Sequence, residues 1–294
     1  MKNSIIIPEV NFRNETSELG FEIANLNYLF TTNSSKHLQR PHRITFFAIL
    51  FITDGTGEHQ IDFKSYSYKR NDIIFIGSEQ VHSWLDYKNT QGYVIFFTEE
   101  FLRKNQIKFK DLSYSYPYNS ILYKPKISLK SKTKAQTFNE LVTYMHNEYN
   151  DSGSFEKQEI LQCLLRTFLL KIRALNKDAE AIVQNKNIEL FIKFQELLNK
   201  KLSSSRNAKD YCVWLNISYK KLNTICKELT NKSAKAFIDS LLMLQAKKHL
   251  SDNDKSISEI SYLLGFEEAT NFTKYFTKHA QKSPSAFRSS LRIN

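Results

Sequence analysis

The sequence predicts an α+β protein of two domains: an N-terminal antiparallel β-barrel with following helices, and a C-terminal all-α domain. Three observations predict it. A length of 294 residues, at roughly 100–200 residues per domain, points to two domains rather than one. Apolar residues come in short β-branched and aromatic runs up to about Ile121, and from Ser128 onward they recur at helical spacing. The positive charge is also uneven. Residues 1–185 carry 23 basic and 20 acidic side chains and residues 186–294 carry 19 and 10, a net +3 against +9. A local excess of that size is the footprint of a surface that meets a polyanion. With 41% apolar and 24% charged residues the chain is globular rather than disordered. Its seven glycines and five prolines exclude a collagenous or Pro/Gly-rich linker protein.

The elements follow in chain order. Ile44–Ile52 reads as one strand, rich in β-branched and aromatic residues, with Asp54-Gly55-Thr56-Gly57 as the turn after it. Short runs at Glu58–Phe63, Asp72–Ile76 and Tyr93–Phe97 continue the series. Close, fairly regular spacing of this kind suggests a sandwich or barrel large enough to enclose a small cavity. Phe138, Leu141, Val142 and Met145 then form one helical stripe, and Ile160, Leu161, Leu164, Leu165, Phe168 and Leu169 a second, separated by Asp151–Ser154. Those stripes suit packing on the barrel or against a second copy, and both stay open. The expected boundaries are 1–125 for the barrel domain, 126–178 for the helices, 179–186 for a polar linker and 187–294 for the helical domain.

No stretch approaches the ~18 apolar residues of a membrane span; Ile44–Ile52 is interrupted by Thr45. The N-terminus lacks a secretory pattern, so the expectation is a cytoplasmic protein. Cys163, Cys212 and Cys226 are widely spaced among apolar residues and are expected to be reduced core cysteines.

Within the helical part the sequence nearly repeats. Ala208 through Ser218, with Leu222 and Cys226, is matched by Ile257 through Phe266, with Phe272 and Phe276. Each copy has the parts of a helix-turn-helix. A small residue (Cys212, Ser261) lets the helices cross closely, and a residue tolerant of positive φ makes the turn (Asn216, Gly265). An apolar plug follows (Ile217, Phe266), and Ser218 is suited to cap the second helix of its copy, with Glu267 or Glu268 favouring the positive end of the other. Apolar residues occupy only the inner face of each second helix.

The run Ile257–Phe266, then Asn271-Phe272, Tyr275-Phe276, Lys282-Ser283-Pro284 and Phe287-Arg288, resembles the signature of AraC-type transcription regulators over about Ile188–Arg292. The first copy departs from that pattern at Cys226, Asn231 and Leu242. The resemblance implies a seven-helix DNA-binding domain whose two helix-turn-helix units are joined by one long helix, about Ala234–Leu250. More loosely, Arg40-Pro41-His42, Gly55, Gly57, Asp72 and Gly77–His82 are similar to the cupin-like sensor domain such regulators carry.

Projected outward, Tyr219, Lys220, Asn223, Thr224 and Lys227 of the first recognition helix, and Ala269, Thr270, Thr273 and Lys274 of the second, face the groove of double-stranded DNA. Asn pairs with adenine, Thr meets a thymine methyl or donates, and Lys favours guanine or phosphate. Arg40, His42, His82 and Trp84 are the candidate lining of an effector pocket, aromatic walls with a few orienting polar groups. No His-x-His pair is present, so no metal centre is expected, nor any cofactor. No nucleophile triad, paired carboxylates or phosphate-binding Gly loop appears, so the chain is not expected to be an enzyme. The sequence therefore reads as a ligand-responsive, sequence-specific DNA-binding regulator. Its partners would be duplex DNA, an unknown small molecule, a second copy of the chain and, less directly, RNA polymerase. The alternatives are a cupin-type enzyme fused to a DNA-binding module, and a regulator whose barrel serves only protein interaction.

Overall fold

The computed structural model describes residues 9–10, 20–31, 38–87, 89–103, 124–175, 187–251 and 255–291. The chain divides into two compact units, Pro8–Glu180 and Ala181–Asn294. The expected linker, 179–186, lies outside the described residues.

In the N-terminal unit the elements are β1 (Glu9–Val10), β2 (Phe21–Asn25), α1 (Leu26–Thr31), β3 (His42–Ile44), β4 (Phe47–Asp54), β5 (Thr56–Ile61), β6 (Lys64–Lys69), β7 (Asp72–Ile76), β8 (Val81–Asp86), β9 (Gln91–Phe97), α2 (Glu99–Arg103), β10 (Lys126–Ser128), α3 (Lys132–Asn150) and α4 (Lys157–Leu175). The strands form two five-stranded sheets, ordered β1-β3-β8-β5-β6 and β10-β7-β4-β9-β2. Every described pairing is antiparallel except the short β1–β3 contact. Among the described residues the hydrogen-bond ladders thus make two sheets, the sandwich form of the expected barrel.

The stretch Ile44–Ile52 is not one strand. It bends at Thr45-Phe46, leaving Ile44 in the first sheet and starting β4 in the second. Ile44, Phe46, Ala48, Leu50 and Ile52 all enter the core between the sheets, so the apolar alternation runs straight through the bend and hides it. The intervening Ile49 and Phe51 are buried too. Strands covered on both faces read as continuous apolar runs, and here the outer cover is helical. Phe21 of β2 meets Tyr149 of α3 with ring centroids 6.0 Å apart, and Gln162 of α4 donates to the Phe101 carbonyl. The predicted turn at Asp54–Gly57 shrinks to Gly55, at φ 86°, and Gly57 already belongs to β5.

Helices α3 and α4 bury Phe138, Val142 and Met145 against Leu161, Leu165, Phe168, Leu169 and Ile172, with Phe138 and Phe168 edge to face at 5.1 Å. The apolar stripes are therefore consumed by packing inside the unit. Cys163 is exposed, against the expectation of a core thiol, because it sits on the side of α4 turned from Leu161 and Leu165. Cys212 and Cys226 are buried as expected, and burial pushes the Cys226 thiol up to about 12.

The C-terminal unit holds α5 (Ile188–Lys201), α6 (Ala208–Leu215), α7 (Tyr219–Thr230), α8 (Ala234–Ser251), α9 (Ile257–Leu263), α10 (Ala269–Ala280) and α11 (Pro284–Ser290). Phe191, Phe194, Tyr211 and Phe237 pack ring on ring around its first half. Helix α8 is buried at the successive positions Leu241, Leu242 and Met243, so its middle is covered on more than one side. No helix among the described residues is long and apolar enough to cross a membrane.

The two helix-turn-helix copies coincide in backbone as well as sequence. Ile217 donates its N–H to the Cys212 carbonyl, and Phe266 to that of Ser261. Both turns end in a left-handed residue, Asn216 at φ 52° and Gly265 at φ 76°. A twelve-residue helix follows in each case, closed by another left-handed residue, Asn231 or Gln281. Ser233 and Ser283 then cap the next helix by accepting the N–H of Ala236 and Ala286. Gly265 has a second constraint, since a Cβ there would sit 1.8 Å from the Ser203 carbonyl oxygen. Gly265→Ala is therefore expected to destabilise the C-terminal unit by more than about 1 kcal/mol, whereas Asn216→Gly should be nearly neutral. Urea unfolding of both variants checks this; an unchanged midpoint for Gly265→Ala would contradict the close approach.

Candidate functional site

Two places combine shape with chemistry, one in each unit. The first is a cavity of about 330 Å3 between the two sheets, at the lower end of the range for small-molecule pockets. Its walls come from His42 and Ile44 on β3, His82 and Trp84 on β8, Ala48 and Leu50 on β4, Ile76 on β7, and Val94 and Phe96 on β9; Val10, Leu29, Leu38 and Phe46 complete it. Strand register sets the polar corner: His42 is the partner of His82 across β3–β8, and His59 of Trp84 across β5–β8.

The His42 Nδ1–H donates to the Arg40 carbonyl at 2.9 Å. His82 Nδ1 lies 3.2 Å from His59 Nε2, while His82 Nε2 and His59 Nδ1 are buried without a hydrogen-bond partner. His59 is fully buried behind Trp84, whose ring stands edge-on to it at 4.5 Å. Desolvation, with the charge of His42 adding to it, lowers the His59 pKa to about 3 and holds His82 well below the usual imidazole value. The pair is neutral at physiological pH.

Three of the four expected pocket residues thus line the cavity. The fourth is a correction: the Arg40 side chain is exposed and absent from the walls, and only its carbonyl reaches the site, because the chain turns outward just before β3. The apolar lining from β4, β7 and β9 carries no sequence signal of its own, since nothing in a strand's alternation distinguishes a filled interior from a hollow one. Among the described residues no group of three His, Cys, Asp or Glu side chains is arranged to hold a metal.

The second place is the outer face of α7 and α10. Tyr219, Lys220, Thr224 and Lys227 are exposed on α7, and Thr270 and Lys274 on α10. Two expected contacts are otherwise engaged. Asn223 is half-buried and its Oδ1 accepts the N–H of Ala234 at 3.1 Å, capping α8. Thr273 is half-buried with its hydroxyl on the Ala269 carbonyl at 2.9 Å, and Ala269 itself is half-buried at the start of α10. The Thr270 hydroxyl donates to Glu268 at 3.0 Å. Between the motifs, the Arg206 guanidinium lies 3.9 Å over the Phe266 ring and donates to the Gly265 carbonyl at 3.3 Å. Tyr275 of α10 donates to Asp239 of α8, which also pairs with Lys235. These contacts, which sequence reasoning missed, hold the second turn and second recognition helix against the first half of the unit. Their only sequence signal was an Arg just before α6.

A two-sheet domain with an interior cavity and, in the same chain, a unit with two matched helix-turn-helix motifs define a ligand-binding and nucleic-acid-binding class of protein. A family model for an AraC-like ligand binding domain matches residues 28–165, and one for a helix-turn-helix domain matches residues 211–290. The chain belongs to the AraC-type transcription regulators. It is 29% identical over 111 residues to the raffinose operon transcriptional regulatory protein RafR of Pediococcus pentosaceus, covering 38% of this chain and 40% of RafR. It is 32% identical over 100 residues to the Msm operon regulatory protein of Streptococcus mutans, covering 34% and 36%. These two matches span well under half of either relative. The transcriptional activator RhaR of Yersinia pestis is 21% identical over 247 residues, 84% of this chain and 83% of RhaR. Among solved structures, ToxT from Vibrio cholerae aligns with 93% of this chain and 98% of its own at 15% identity and a TM-score of 0.48.

The buried histidines give a pH prediction. Below pH 6.5 the unfolded chain takes up protons that folded His59 and His82 refuse. Stability therefore falls as pH drops below 6.5, for His59 down toward about 3, with His82 adding to the loss. Urea midpoints followed by Trp84 fluorescence in a Trp214→Phe chain should be level from pH 8 to 7 and fall from pH 6.5 to 5. A level midpoint down to pH 5 would contradict the neutral pair.

Proposed function

We propose that this chain is a sequence-specific, non-catalytic transcription regulator of the cytoplasm. Its C-terminal unit binds promoter DNA, and its N-terminal cavity binds a small-molecule effector. The observation that carries the reading is the duplication in the C-terminal unit: two capped twelve-residue helices, each after a left-handed turn, each presenting a polar, lysine-bearing face. That unit also carries most of the chain's positive excess. Lysines supply salt-sensitive affinity through phosphates, and side chains that reach base edges supply sequence. On α7 these are Tyr219, Lys220, Thr224 and Lys227; on α10, Thr270 and Lys274 with Ala269 beside them. Asn223 and Thr273 act through the fold. RafR, the Msm regulator and RhaR, all named as regulators, support the same reading.

The effector acts by binding one arrangement of the chain better than another. Domain limits near 125, 178 and 187 remain the working boundaries for truncation. A second copy is a further partner, and RNA polymerase is the partner through which DNA binding becomes regulation. The surface left for self-association on α3 and α4 includes exposed Tyr144 and Leu170, not buried Phe168. A Leu170→Glu change that leaves the sedimentation coefficient of the full chain unaltered at high concentration would remove that face from consideration.

Binding titrations of the full chain against genomic operator fragments test the DNA reading. Wild-type affinity is expected to fall steeply with salt. Lys274→Ala should reduce the salt slope by about one if the contact is phosphate, or lose about 1–3 kcal/mol at a single base pair if it reads a base. Thr270→Ala should change preference more than salt response. Unaltered affinity and specificity in both Lys274→Glu and Thr270→Ala would show that α10 is structural only.

A further inference from the structure

We infer that the cavity takes a neutral, largely hydrocarbon molecule with a single hydroxyl seated at His82, and not a carbohydrate or an anion. The inference rests on the reading of the cavity as an effector site and narrows its chemistry.

The walls decide it. Among the described residues no Lys, Arg, Asp or Glu lines the cavity, and only His42, His82 and Trp84 bring polar side-chain atoms to it. Two of the imidazole nitrogens are committed within the protein, His42 Nδ1 to the Arg40 carbonyl and His82 Nδ1 to His59. His82 is 7% exposed, and its Nε2 is left without a partner. A carbohydrate brings many hydroxyls, and each one moved from water to hydrocarbon without a partner costs free energy. A carboxylate would be buried with no cation beside it, at still greater cost. One polar group on an apolar body fits both the walls and the orphaned nitrogen. A neutral imidazole nitrogen either donates or accepts according to its tautomer, and a hydroxyl can answer either. Desolvation that keeps His82 neutral favours the same neutral partner. The remaining space, bounded by Phe46, Phe96 and Trp84, has room for an aromatic or branched aliphatic body.

The test uses the full chain at pH 8 with the fluorescent probe N-phenyl-1-naphthylamine, displaced in turn by butylbenzene, 4-butylphenol, 4-butylbenzoate and rhamnose. The probe is expected to bind at one site. 4-Butylphenol should displace it about three- to tenfold more tightly than butylbenzene, the range of one net hydrogen bond. The benzoate should be weaker than the phenol, and rhamnose inert. His82→Phe should erase the advantage of the phenol over the hydrocarbon, and Ala48→Phe should fill the cavity and abolish probe binding. The order of the four competitors on the wild-type chain decides the matter even where a variant does not fold. No probe binding, displacement by rhamnose, or a benzoate as strong as the phenol would overturn the inference. Operator affinity measured alongside separates it from the sensor reading. The expected order with unchanged operator affinity upholds the ligand chemistry and ends the sensor reading. Rhamnose shifting both melting temperature and operator affinity overturns the chemistry and leaves the sensor reading standing.

Discussion

Strand β4 is buried on both faces, and the organisation of the N-terminal unit follows from that constraint. Its even positions, Ala48, Leu50 and Ile52, turn into the space between the sheets, while Ile49 and Phe51 turn outward. The outward face cannot be left to water, because a strip of large apolar side chains on a central strand needs cover. Helix α3 reaches that side of the sheet through Tyr149 on Phe21 of β2 and His146 on Tyr93 of β9, and α4 packs on α3. The inward face meets the first sheet, and the chain crosses from β3 of that sheet to β4 of the second at Thr45-Phe46. The hollow that remains is the cavity.

Within that hollow the cost of burying polar groups selects the chemistry. His42, His59 and His82 are close enough that charging any one penalises the others, and desolvation acts in the same direction. Each has at least one ring nitrogen satisfied inside the protein, so the cluster resembles a packed polar seam more than a metal site. A seam of this kind fixes the orientation of His82 while leaving one nitrogen unanswered. An orphaned nitrogen beside an apolar chamber favours one well-placed partner, and the apolar walls penalise every additional polar atom.

The C-terminal unit depends on a different constraint, the left-handed residue at each helix-to-helix turn. Asn216 and Gly265 redirect the chain so that Leu222, Ile225 and Cys226, or Phe272 and Phe276, face inward and the opposite side is left to solvent. The repeat extends further than its first halves suggested, since Asn231-Lys232-Ser233 and Gln281-Lys282-Ser283 close the recognition helices in the same conformation. Asn223 shows how position alone can mislead. It lies toward the outer face of α7, yet the nearby start of α8 offers an unsatisfied N–H, and the amide serves that first.

The sequence by itself determined the division into a strand-rich and a helical part, the two helix-turn-helix motifs with their turn residues and inner faces, and the residues opposite them. These are local properties: periodicity, caps and positive-φ positions are written in neighbouring residues. It also named three of the side chains around the cavity. Only the tertiary structure decided that Ile44–Ile52 is split between sheets, that Arg40 contributes a carbonyl rather than a guanidinium, that Cys163 faces water, and that polar β6 is a strand at all. The strand spacing already suggested a small cavity, but only the structure shows where it lies, because ten of its lining side chains are apolar residues that would look the same in a filled core. Whether an apolar strand face meets another side chain or empty space depends on the separation of two sheets, and that distance is set by contacts far apart in the chain.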